Sequence, residues 1–108
     1  MNRSENGLFA LECRVAERGG EWPADGPAQV PEAWLRASPA VAAAWARRLA
    51  GEGRFGPARA ALDLAVRGFA RQGAAEALSG AMAALACVDC ALGEAERGDP
   101  RVRGGRPR

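Results

Sequence analysis

Apolar residues recur at helical spacing along most of this chain, in runs punctuated by glycine and proline. The clearest stretch is residues 40–92, which reads as three alanine-rich helices separated by glycine turns. Ser38 and Pro39 open the first of them. The serine caps free N–H groups and the proline fixes φ in the first turn. That helix runs to about Ala50, with Val41, Trp45 and Leu49 recurring every four residues and Arg47 and Arg48 off the stripe. Gly51 and Gly53 stop it. Gly56 and Pro57 open the next, over residues 57–72. Its apolar face is Ala58, Ala61, Leu62, Ala65, Val66 and Phe69, opposite Arg59, Asp63, Arg67 and Arg71. Gly73 ends it.

The third helix spans residues 75–92. Leu78, Ala81, Met82, Leu85, Val88 and Leu92 form one stripe. The opposite side is also small or apolar: Gly80, Ala83, Ala84, Ala86, Cys87, Cys90 and Ala91. A helix apolar nearly all round expects cover on two sides. The preceding helix covers one. Residues 93–108 are rich in Gly, Pro and Arg and cannot cover the other, so self-association through this helix is expected.

The N-terminal third is less regular. Leu8, Leu11 and Val15 define a short helix over residues 8–18, ended by Gly19 and Gly20. Residues 21–30 hold Pro23, Gly26 and Pro27 and read as a loop. Pro31 starts another short helix, residues 31–37, with Trp34 and Leu35 as its apolar contacts. The expected class is all-α: antiparallel helical hairpins, three main helices and short N-terminal ones. The expected division is an N-terminal part over residues 1–30, partly unordered, a helical domain over 31–93 and a disordered tail over 94–108.

Composition and charge refine this picture. The chain has 108 residues, room for one domain with a small core. All 15 basic residues are arginine, against 13 acids, for a net charge of +2. From Arg97 onward five arginines face one acid, Asp99, while the remainder is mildly acidic. Such an end is expected to be solvated and unfolded; its alternative use is contact with nucleic acid. No secretory signal is visible, residues 77–92 read as too short and too weakly apolar to span a membrane, and a cytoplasmic home is expected.

Laid on the tetratricopeptide (TPR) pattern, a repeat of about 34 residues, the chain gives Ala42-x2-Trp45-Ala46-x2-Leu49 and then Ala58-x3-Leu62. Gly53, Phe55 and Ala65 match the turn glycine, the following aromatic and the later small residue. Ala42, Leu49 and Leu62 replace aromatics, and Ala70 stands where the terminal proline would be. The long second helix, Arg71-Gln72-Gly73 after it, and the passage from Val30 through Trp34 to Pro39 resemble a divergent TPR-like subclass. That subclass forms the sensor region of bacterial regulators of the MalT-like and bacterial transcriptional activator types. The resemblance implies a superhelix that receives a ligand or partner and signals to nucleotide-binding and DNA-binding domains. No glycine-rich phosphate motif ending in Lys-Ser or Lys-Thr occurs, so it implies a truncated sensor scaffold without output parts.

Chemistry is sparse. Cys87-Val88-Asp89-Cys90 is the one motif with a catalytic look. Three cysteines and no histidine do not make a four-ligand zinc site within one chain, and a redox pair belongs at a helix start after a strand. The two cysteines are therefore expected to be small packing residues, with intermolecular zinc or redox use as the alternative. Trp22, Trp34 and Trp45 are weighed as groove residues, and for Trp45, which lies on a core stripe, packing is preferred. Ser38 is a cap, no nucleophile has a nearby base, and neither enzymatic activity nor a cofactor is expected.

The reading that follows is a protein–protein interaction scaffold. Its inner face would come from the helices over 41–49 and 75–92, with Trp45, Arg48, Met82, Leu85 and Asp89 meeting a protein or peptide. Asp89, at the edge of the leucine stripe, is expected to cap a neighbouring helix or face a partner; a partly buried acid needs a donor, and an arginine is the obvious candidate. The runner-up is a small nucleic-acid-associated protein acting through its arginine tail; a third reading is a gene fragment without function. Contact with a membrane is not expected.

Overall fold

A computed structural model describes residues 3–96, with side-chain surroundings for 7–94. Within them the chain is all-helical. Five helices follow in order: α1 Arg3–Glu17, α2 Glu32–Ala37, α3 Pro39–Gly51, α4 Phe55–Gln72 and α5 Ala75–Glu96.

Most of the punctuation read from the sequence holds, although Pro31 is the cap of α2 rather than its first residue and Gly51 is the last residue of α3 rather than outside it. Ser38, buried to 1% exposure, accepts a 3.3 Å hydrogen bond from the Val41 N–H, and Pro39 takes the first helical position. Gly19, Gly20, Gly53 and Gly73 adopt positive φ after α1, α3 and α4, the region that suits a residue without Cβ. Three boundaries move outward. α4 begins at Phe55, ahead of the expected Pro57. α1 begins at Arg3, because its polar first turn carries no apolar period to read. α5 continues to Glu96, through Gly93-Glu94-Ala95-Glu96, where good helix formers outweigh one glycine. The helix was expected to end at Leu92. The longer α5 is the one described helix whose length and composition suffice to cross a membrane, over Ala75–Glu94, against the expectation of a stretch too short.

α3 packs on α4 and α4 on α5. A Cβ added to Gly68, late in α4, would stand 2.8 Å from Cβ of Pro39 at the start of α3. Arg59, early in α4, pairs with Asp89, late in α5. Neighbouring helices therefore run in opposite directions. Alanine and glycine fill the seams: Ala42, Ala46, Ala58, Ala61, Ala65 and Gly68 are buried, so the rods approach closely.

Two apolar clusters result. One joins Leu11 and Val15 of α1, Trp22, Leu35 of α2, Val41 and Ala44 of α3, Ala65 and Ala81. The other joins Ala46, Leu49, Ala58, Ala61, Leu62 and Val88. The N-terminal segment thus shares the core of the main helices. Trp22 and Trp45 pack with ring centroids 4.9 Å apart at 53°, and the Trp22 indole N–H donates to the Pro27 carbonyl at 3.3 Å. Gly7 leaves room for the Trp34 ring, which would lie 2.9 Å from any added Cβ. Residues 97–108, and with them the arginine tail, lie outside the described residues.

Candidate interaction groove

α1 and α5 stand apart over a floor made by α3 and α4. The gap is an open-sided groove of about 390 Å³, at the lower end of the range of ligand clefts. Leu62 and Phe69 of α4 form its base. Val15 and Ala16 line the α1 wall, Ala40 and Ala43 the α3 side, and Ala77, Gly80, Ala81 and Ala84 the α5 wall. Glu12, Glu76 and Arg47 supply its charges. Arg47 also donates to the Gly20 carbonyl at 3.3 Å, fastening the end of α1 to the end of α3.

The walls follow from sequence. On α5, residues 77, 80, 81 and 84 recur at helical spacing, and all are Ala or Gly. Small side chains keep the wall low and smooth and expose backbone for close approach. Nothing lies within 4 Å of a Cβ added to Gly80.

α3 and α5 both contribute to this groove, as the sequence suggested, but through other residues than expected. None of Trp45, Arg48, Met82, Leu85 and Asp89 lines it. Trp45 is half-buried behind Trp22 and borders a second depression with Val30, Leu35, Leu49 and Pro57. Its four-residue stripe points it into the core rather than toward a partner. Arg48 is turned along its own helix to Glu52, Nε to Oε2 2.7 Å. This pair, with Arg54 adding to it, holds the Glu52 carboxyl below its ordinary range. Leu85 is half-buried against the second cluster. Asp89 receives Arg59 Nε at 2.5 Å on the surface, the donor it was expected to need. Met82 alone of the five is a large apolar side chain left open, 54% exposed on the outer side of α5. The contribution of α1 was not anticipated. Val15 in its apolar stripe was the available signal, but local periodicity does not say which helix a stripe meets.

The outer side of α5 is uncovered among the described residues: Ser79, Met82, Ala83, Ala86, Cys87 and Cys90 are exposed. The expectation that Cys87 and Cys90 pack as small residues is therefore corrected. Both thiols are free and face outward, because the helix presents only its Ala81–Val88 side to α4. Among the described residues no three His, Cys, Asp or Glu side chains gather as a metal cluster. Ser38 is committed to its cap.

No protein-family model matches this chain, and no curated protein and no solved structure matches it.

Proposed function

We propose that this chain is a protein-binding scaffold of TPR-like helical hairpins, whose groove between α1 and α5 receives the apolar edge of a peptide or helix. One observation carries the reading: two flanking helices are held apart over an apolar floor, with small residues along the walls. In this arrangement α3 with α4 acts as one hairpin and α5 as the first helix of the next, so the first helices of successive pairs share a face. The scale suits a few inserted side chains rather than a whole domain. The resemblance to sensor regions of bacterial regulators fits a role in which occupancy of the groove is the signal.

A library of displayed helical peptides, selected against the folded protein, tests this. Selected peptides should bind the parent chain and lose at least tenfold affinity, about 1.4 kcal/mol, to Ala84→Arg, which fills the α5 wall. Arg71→Ala, on the exposed side of α4, should bind as the parent does. Binding should change little between low and moderate salt, because the floor is apolar. Peptides indifferent to Ala84→Arg, or binding that collapses with salt, would overturn the reading.

A further inference from the structure

We propose that Cys87 and Cys90 form half of a tetrathiolate zinc site, completed when a second copy of this chain packs on the outer face of α5. The first ground is that neither cysteine is used by the fold. Both are free and exposed on the side of α5 that no described residue covers.

The second ground is their spacing. On a helix, positions i and i+3 hold their Cβ atoms about 5–6 Å apart. A disulfide needs about 3.5–4.5 Å, so the two thiols do not join without unwinding α5. Two sulfurs on one tetrahedral zinc, each at about 2.3 Å, sit about 3.8 Å apart, which one Cβ–Sγ bond on each side can span. The pair is thus a better chelate than a disulfide. Asp89 between them is engaged by Arg59.

The third ground is incompleteness. One chain offers this ion two thiolates and no further cluster of ligands among the described residues, whereas a closed structural zinc site takes four. A two-fold contact supplies two more of the same kind. Gly80 and Ala83 continue the cysteine stripe at spacings of three and four, with no bulky side chain to hold a second helix away.

Charge selects the orientation. Side by side in the same direction, the two copies would set Glu76 against Glu76 and Glu94 against Glu94. Antiparallel pairing about the cysteines sets Cys87 opposite the second copy's Cys90, and Glu94 opposite its Ala83. Like charges then do not meet. The cysteines lie outside the groove, but the two surfaces border each other on α5, because Gly80 lines the groove and also continues the cysteine stripe.

The test is a titration of the reduced full chain with zinc, and with cobalt as a spectroscopic probe, while mass is followed by light scattering. One ion should be taken up per two chains, with a dimer forming in step and an intense thiolate-to-cobalt absorption. Cys87→Ser and Cys90→Ser should each lose the dimer and the absorption while circular dichroism keeps the parent helicity. Cys13→Ser, on α1, should retain both. Failure to bind, one ion per chain on a monomer, or a metal-dependent dimer that survives in Cys87→Ser would overturn the proposal.

Discussion

Gly68 carries more of this architecture than its size suggests. It is buried in α4, and the ring of Pro39 stands where its Cβ would go, with Cβ and Cγ of the proline at 2.8 and 2.9 Å. Proline has no rotamer by which to retreat, so the two helices must separate to admit a methyl group. Gly68→Ala gains helix propensity of about 1 kcal/mol, yet overpacking of this kind costs about 1–3 kcal/mol. The account predicts a net loss, read as a lower urea midpoint with unchanged helicity; a more stable variant would contradict it. Glu52 gives a second test. Its carboxyl is held below its ordinary range chiefly by the hydrogen bond from Arg48. A depressed folded value means the contribution is present above the unfolded pKa and is lost as pH falls through the folded one. The pair is exposed, so the effect is small. Glu52→Gln should melt slightly below the parent at neutral pH, and the two curves should converge in acid. A gap that persists in acid would remove the ion pair as its cause.

Elements are where the sequence was most and least legible. Ser38, Pro39, Gly53 and Gly73 act on their immediate neighbours, so α3 and α4 could be placed nearly to the residue. Arg59 with Asp89, thirty positions apart, could not be paired, because no local period encodes such a contact. The same holds for α1. Its stripe of Leu8, Leu11 and Val15 shows that one side seeks cover without saying that α3 supplies it. That Trp45 lies outside the groove was not legible for a related reason: an aromatic on an apolar stripe reads alike whether a ligand or Trp22 meets it. The attachment of α1 and its loop rests heavily on Trp22, which is buried against Trp45. Trp22→Ala should cost about 3–5 kcal/mol, a large share of a small domain's stability. A urea melt should show the loss, and Trp45 fluorescence should shift toward that of a wetter ring. An unchanged midpoint would mean that the N-terminal segment is not part of the core.

The whole molecule is a row of helices closed at one end and open at the other. At the start of the row α1, α2 and the tryptophans cap the core. At its end α5 buries one side and leaves the other open. The groove exists because α1 is tied to α3 and α5 to α4, so that the two flanking helices line opposite walls over that pair. The class and the exposed side of α5 were visible in composition and period; the groove was not, since it depends on where two distant helices dock. The most direct measurement is an amide-resolved NMR titration of the full chain with a peptide selected for binding. The account predicts that shifts concentrate at Val15, Ala43, Arg47, Phe69, Ala77 and Ala84, around one groove. Shifts confined to the arginine-rich end, or spread without focus over all five helices, would contradict it.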